Sequence, residues 1–90
     1  MTTIIQASGI SLSEAIRSHL MRRFTLALRR HGDRIRRVNV FLGDVNGDKG
    51  GEDKRVLVSV ELPDRSAVTI ETYSPYLYVA ISVAARRTQR

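Results

Sequence analysis

The chain has 90 residues and a mass of 10.1 kDa, a size at which a folded protein builds one hydrophobic core. We therefore expect a single domain spanning residues 1–90. The absence of cysteine excludes disulfides, thiolate metal sites and a cysteine nucleophile. No apolar run reaches the roughly 18 residues that a membrane-spanning helix needs, and residues 1–6 do not resemble a signal peptide. We expect a cytoplasmic protein with no membrane partner.

The charged residues are strongly biased toward basic side chains. Fifteen Lys and Arg stand against nine Asp and Glu, which gives a formal net charge of +6, and thirteen of the fifteen are arginine. A pI near 10.8 is typical of proteins that bind polyanions, most often nucleic acid. Arginine binds phosphate through paired hydrogen bonds and stacks on bases. The composition therefore favours RNA as the partner.

The first third of the chain is predicted to form a strand and a helix. Residues 2–7 are rich in β-forming side chains and end at Ser8-Gly9. A helix is predicted over residues 12–30, with Ser11 and Glu14 at the spacing of a capping box and Ser13 as a competing cap. Its apolar residues recur at three-to-four spacing: Leu12, Ile16, Leu20, Phe24, Ala27 and Leu28.

The rest of the chain is predicted to form three strands and a second helix. Alternating patterns predict strands over residues 35–42, 54–62 and 67–73, the last two joined as a hairpin. The inward side chains are Val38, Val40, Leu42, Val56, Val58, Val60, Leu62, Val68 and Ile70. The side chains expected to be largely exposed are Arg37, Asn39, Arg55, Ser59 and Glu61. A helix is predicted from Pro75 onward, with a second apolar stripe made by Leu77, Ile81, Ala84, Ala85 and Thr88.

The resulting order is β-α-β-β-β-α, which predicts an α+β fold. One apolar sheet face and two amphipathic helices predict a two-layer sandwich, a four-stranded sheet with both helices on one face. A helix connects the first two strands, so they should be parallel if they pair. The other neighbouring strands should be antiparallel.

Basic side chains of the first helix concentrate beside its apolar stripe. At about 100° per residue, five of them fall in an arc of roughly 120°: His19, Arg22, Arg23, Arg29 and Arg30. Arg17 falls on the opposite border. The second helix adds Arg86, Arg87 and Arg90. If the helices lie side by side, the seven arginines other than Arg17 form one positive surface that can follow a phosphate backbone. The alternative is an ordinary solvated helix face.

Other chemistry finds little support in the sequence. Asp44, Asn46 and Asp48 resemble the start of a calcium loop, but Lys49 and Arg55 stand where that loop needs Gly and Glu. His19 and His31 belong to no pattern with a serine and a carboxylate. We therefore predict no enzymatic activity, no metal, no cofactor and no small-molecule substrate.

Three tyrosines lie around the start of the second helix: Tyr73, Tyr76 and Tyr78. A tyrosine in this position is more often a partly buried packing residue, and we expect that role here. Stacking on a nucleic-acid base is the alternative.

Four stretches together resemble the family of ribosome hibernation-promoting factors and ribosome-associated inhibitors, also known as ribosomal subunit interface or sigma-54 modulation proteins. They are Leu12-Ser-Glu-Ala-Ile-Arg17; Asp33-Arg-Ile-x-x-Val38-x-Val40-x-Leu42; Gly50-Gly-Glu-Asp-Lys-Arg55 leading into Val58-x-Val60-x-Leu62-Pro63; and Leu77-Tyr-x-Ala-Ile81 with Ala85 and Arg86. Their order and spacing over nearly the whole chain are more specific than any single stretch.

The resemblance implies a fold similar to a double-stranded RNA-binding domain. It also implies binding to ribosomal RNA of the small ribosomal subunit, in the channel of messenger and transfer RNA, which silences idle ribosomes. By position, the implied RNA contacts are Arg22, Arg23, Arg29, Arg30, Arg86, Arg87 and Arg90. The chain departs from the family at Tyr76, where relatives usually carry Asp, so Ser74 is expected to cap the second helix. The second helix also ends earlier than in many relatives, and the C-terminal dimerising domain of long relatives is not in the sequence, as in a short form.

Two other functions stay open at this stage. One is a general RNA-binding module of the same fold, and the other is a protein-interaction or dimerising domain that uses the exposed sheet. Co-sedimentation with ribosomes through a sucrose gradient separates the ribosomal function from both. The sequence leaves the oligomeric state undetermined.

Overall fold

The computed structural model describes residues 2–45 and 54–89, without the side chains of residues 32 and 33. Its elements are β1 (Thr2–Ser8), α1 (Glu14–Leu28), a 3₁₀ helix (Arg29–Arg34), β2 (Arg37–Asp44), β3 (Lys54–Glu61), β4 (Ala67–Ser74) and α2 (Leu77–Thr88). The sheet order is β1-β2-β3-β4, with β1 parallel to β2 and the other pairs antiparallel. The predicted α+β class and element order are confirmed.

The start of α1 differs from the predicted capping box. Ser13 is the N-cap: its backbone is extended, and its Oγ accepts a hydrogen bond from the Ile16 N–H at 3.1 Å. The prediction that Ser11 caps the helix is wrong, because the backbone becomes helical at Glu14 rather than two residues earlier. Glu14 therefore lies in the first turn, where a carboxylate complements the positive end of the helix dipole.

The core lies between the two helices and one face of the sheet. Alternate side chains of β2 and β3 are buried there, at Val38, Val40, Leu42, Val56, Val58 and Val60. Leu20, Phe24 and Leu28 of α1 pack in the same cluster. The α2 residues in the cluster are Ala80, Ile81, Ala84 and Ala85. The alanines have short side chains, which lets the backbone of α2 approach the sheet closely.

Two details of burial differ from the sequence-based expectation. Val68 shares the inward-facing side of β4 but remains 51% exposed, because only the end of α2 reaches the groove beside it. On the opposite side, which we call the outer sheet face, the five polar residues expected to be largely exposed are half-buried. Cross-strand hydrogen bonds and ion pairs hold several of them against the sheet.

The connection from β4 to α2 is short and fixed by hydrogen bonds. Ser74 Oγ accepts from the Tyr76 N–H at 3.1 Å, which holds the turn before α2 but is not a helix cap, so the prediction that Ser74 caps α2 is wrong. The helix begins at Leu77 rather than at Pro75, and Tyr76 is its N-cap residue without a side-chain bond. The buried hydroxyl of Thr72 donates to the Ala80 carbonyl at 2.9 Å, which ties the first turns of α2 to β4.

The cap assignment can be tested by paired substitutions. Ser13→Ala should destabilise the domain by about 1 kcal/mol, because the Ile16 N–H loses its acceptor, and should lower Tm by about 4–8 °C for a domain of this size. Ser11→Ala is the matched control, since only the backbone carbonyl of Ser11 forms a hydrogen bond within the described residues. Thermal melts followed by circular dichroism measure both. Equal losses in the two variants would contradict the assignment.

Candidate nucleic-acid interface

The two helices lie side by side and run in the same direction. Near their starts, His19 of α1 meets Tyr78 and Ser82 of α2. Further along, Arg23 and Arg86 border a common groove. We call this line of contact the helix seam, formed by His19, Arg23, Leu26, Ala27, Tyr78, Ser82, Ala85 and Arg86. The seam joins the outer surfaces of α1 and α2. This contact is the condition under which arginines of both helices can form one positive surface.

The later part of the seam is a shallow positive groove. Its volume is about 230 Å³, and Arg23 and Arg86 line it from opposite helices. Ala27 and Ala85 also line it and are buried. Because these two side chains are short, the helices approach closely and leave a depression between the longer arginines. The structure thus brings one predicted arginine of each helix to the same groove.

The other predicted arginines of the first half are exposed, but not all of them lie on α1. Arg22 is exposed on α1, whereas Arg29 and Arg30 are exposed on the 3₁₀ helix that follows. The prediction that the α-helix reaches Arg30 is wrong, since it ends at Leu28 and the chain tightens into a 3₁₀ turn. Arg29 itself keeps right-handed helical backbone angles.

We call Arg22, Arg23, Arg29, Arg30 and Arg86 the helix-face arginines. Their side chains form no ion pair or hydrogen bond with any other described residue. All five are exposed. A guanidinium that is not already paired keeps its five N–H donors available for phosphate.

Arg87 and Arg90 differ from this set. Arg87 Nη1 donates to the Glu71 carbonyl of β4 at 3.4 Å, on the flank of α2 that faces away from α1. Successive helical residues are rotated by about 100°, so Arg86 and Arg87 cannot both face the seam. The continuous surface of seven arginines expected from the sequence therefore does not include Arg87. Arg90 lies outside the described residues.

Acidic side chains concentrate on the sheet, where they are paired. Glu61 Oε2 accepts from Asn39 Nδ2 at 2.9 Å and lies 3.7 Å from Arg37 Nη1. Glu71 Oε2 accepts from Arg55 Nε at 2.6 Å, and this hydrogen bond raises the pKa of Arg55.

A third pair joins Lys54 and Asp44 at 3.1 Å, at the ends of β2 and β3. Among the residues that the structure describes, positive charge therefore dominates the helix side, while the sheet side is largely neutralised.

Two further basic residues, not among the predicted site residues, follow the arginines at the end of α1 in the chain. Arg34 ends the 3₁₀ helix and Arg36 follows it, and both are exposed. They carry positive charge beyond the last turn of α1. The sequence does show a dense run of arginines between Arg29 and Arg37. A helical wheel drawn for one continuous α-helix that ends at Arg30 does not include Arg34 or Arg36.

The three tyrosines do not cluster. Tyr73 and Tyr78 are partly buried, as expected, whereas Tyr76 is mostly exposed. Tyr73 is 44% exposed on the outer sheet face, opposite Arg55 in the β3–β4 register. Tyr76 is 70% exposed at the start of α2. Tyr78 is 45% exposed at the helix seam, where its ring and that of His19 meet at an interplanar angle of 65° with centroids 4.8 Å apart.

Other kinds of site find no support in the part of the chain that the structure describes. It contains no group of three or more His, Cys, Asp or Glu side chains placed to hold a metal ion. Most of the calcium-like stretch, residues 46–53, lies outside the described residues, and Asp44 pairs with Lys54. His19 Nε2 lies 3.3 Å from Ser82 Oγ, with no described carboxylate bonded to either. None of the described helices is long and apolar enough to cross a membrane.

Comparisons with known proteins identify the fold. No protein-family model matches the sequence, and no curated protein matches it. A ribosomal subunit interface protein from Coxiella burnetii superposes with a TM-score of 0.79 at 21% identity, covering 99% of this chain and 90% of that one. The N-terminal domain of Thermus thermophilus Protein Y gives 0.75 at 21% identity, covering 94% and 87%. Over nearly its whole length, this chain has the fold of a ribosomal subunit interface protein, as the sequence resemblance implied.

Proposed function

We propose that this protein is a non-enzymatic member of the hibernation-promoting family that binds ribosomal RNA of the small subunit and inhibits translation in the cytoplasm. The observation that carries the proposal is the separation of charge. The helix-face arginines are exposed and unpaired among the described residues, whereas the sheet carboxylates are paired. The similarity of fold to a ribosomal subunit interface protein supports the ribosome as the partner.

The arrangement of the arginines suits a phosphate backbone. Arg23 and Arg86 approach one groove from two helices that are both packed on the same sheet. A rigid support lowers the entropy lost when several side chains bind at once. Each partly solvated, charge-assisted contact contributes about 0.5–1.5 kcal/mol, so several are needed for tight binding.

Inhibition in this proposal needs no chemical step. The channel that carries messenger and transfer RNA cannot hold those ligands and this domain at the same place. The fraction of silenced subunits then follows from the concentrations and affinities of the competitors. The arginines bind RNA phosphates, and the rest of the fold holds the arginines in position.

A second candidate function uses the outer sheet face for a protein partner. Phe41 is 42% exposed there, and it lines a groove of about 570 Å³ together with Leu57 and Arg55. Exposed apolar side chains in a concave surface are typical of protein-binding sites. Such binding would depend weakly on salt, which distinguishes it from binding through the arginines.

The first experiment is co-sedimentation with purified small subunits at increasing salt. Each neutralised phosphate lowers the slope of log K against log salt by about 0.7–0.9, so five arginine contacts predict a slope of about −3.5 to −4.5. Doubling the salt should then weaken binding about 10- to 20-fold. Transfer RNA bound in the A and P sites should displace the protein. Binding that tolerates both salt and transfer RNA would refute the proposed site and favour the outer sheet face.

The second experiment compares two double variants that remove equal charge. Arg23→Ala with Arg86→Ala should weaken binding to small subunits by about 5- to 150-fold, because two phosphate contacts are lost. Arg17→Ala with Arg87→Ala should do much less, since Arg17 falls on the opposite border of α1 and Arg87 lies on the far flank of α2. Filter binding measures the affinities, and thermal melts check folding.

Two outcomes of that comparison decide between specific and diffuse attraction. Equal loss in both double variants would mean that only total charge matters, and the helix-face arginines would not be a defined site. Substituting Lys at positions 23 and 86 should restore only part of the binding, because lysine keeps the charge but cannot form paired hydrogen bonds to one phosphate.

A further inference from the structure

Tyr78 occupies a position in the helix seam that core packing does not explain. The residue is 45% exposed, and its ring contacts the ring of His19 on the neighbouring helix. We propose that this ring is a stacking site for an unpaired nucleobase, so that the protein prefers single-stranded to base-paired RNA. This inference rests on the proposed RNA-binding function and specifies which form of RNA the site takes.

The ring is held in place from both helices. The ring of His19 meets it at an interplanar angle of 65°, with centroids 4.8 Å apart. Rings that cross at this angle do not cover each other as parallel rings do, so much of the tyrosine remains accessible. His19 Nε2 in turn lies 3.3 Å from Ser82 Oγ, one helical turn after Tyr78. A ring braced in this way loses little freedom when a base stacks on it.

Phosphate-binding groups lie at a suitable distance from the ring. Arg23 follows His19 by four residues on α1, and Arg86 follows Ser82 by four residues on α2. Four residues correspond to about 6 Å along a helix axis, so the arginine groove continues directly from the aromatic contact. Aromatic rings that alternate with cationic groups along a channel are the usual means of binding single strands.

A duplex cannot use this subsite. In double-stranded RNA the bases are stacked within the helix, and only an unpaired base can present its flat face to a side chain. The arginines alone would attract any RNA backbone. The tyrosine therefore adds a preference for unpaired segments to an otherwise sequence-independent attraction.

The test uses labelled oligouridylate and an oligonucleotide of the same length and charge whose bases are replaced by abasic sites. The wild-type protein should bind oligouridylate about 5- to 150-fold more tightly than the abasic strand, as expected for stacking of one base. Tyr78→Leu should lose this preference while its affinity for the abasic strand is unchanged. Tyr78→Phe keeps the ring and should keep the preference.

Tyr73→Leu is the matched control. Tyr73 is equally exposed, at 44%, but lies on the outer sheet face beside the Arg55–Glu71 ion pair. This variant should behave as the wild type does. Photocrosslinking of wild-type protein to iodouridine-substituted RNA should give an adduct at Tyr78, and this measurement does not depend on a substitution that could unfold the domain.

The outcomes separate this inference from the proposed function. If the wild type binds both strands equally well, or crosslinks elsewhere, the stacking site is refuted while binding through the arginines stands. If the wild type binds neither strand, and does not sediment with small subunits, the proposed function fails and the stacking site fails with it.

Discussion

Burial of one apolar sheet face determines where the charges of this domain lie. Because side chains alternate along a strand, burying Val56, Val58 and Val60 places Arg55 and Glu61 on the outer sheet face. A shift of one residue in the register of this strand would bury those charged groups instead. The free-energy cost of burying them is more than a small core can offset. Both helices must cover the apolar face, and their outer surfaces then form the opposite side of the molecule. The domain therefore has two chemically different sides before any partner is considered.

Charge pairing increases this difference between the two sides. Neighbouring strands bring Glu61 to Asn39 and Glu71 to Arg55, so carboxylates on the sheet find partners within the sheet. The helix-face arginines have no described carboxylate within ion-pairing distance. An exposed cluster of like charges costs free energy in the unbound protein, and a polyanion relieves that repulsion. The same separation of charge that favours RNA binding therefore makes the unbound domain less stable than it would be if these arginines were paired with carboxylates.

Hydrophobic periodicity was enough to predict all six main elements, and the helix between the first two strands predicted that β1 and β2 would be parallel if they paired. Finer features depend on where elements end and what packs beside them. Ser11 and Ser13 both have a capping side chain, and only the point where the backbone becomes helical selects Ser13. Likewise, the sequence places Arg86 and Arg87 together, but the position of α1 decides that only Arg86 borders the seam. The exposure of Tyr78 likewise depends on how closely the two helices approach.

The most direct test of the account is to find which side of the domain touches ribosomal RNA. The chain contains no cysteine, so a single cysteine can carry a photoreactive azide at a chosen position. Ser18→Cys places the azide one turn before Arg22 on α1, and Thr69→Cys places it on the outer sheet face; both positions are exposed. On small subunits, the label at position 18 should crosslink to ribosomal RNA and the label at position 69 should not. Crosslinks to ribosomal RNA from position 69 alone would contradict the account.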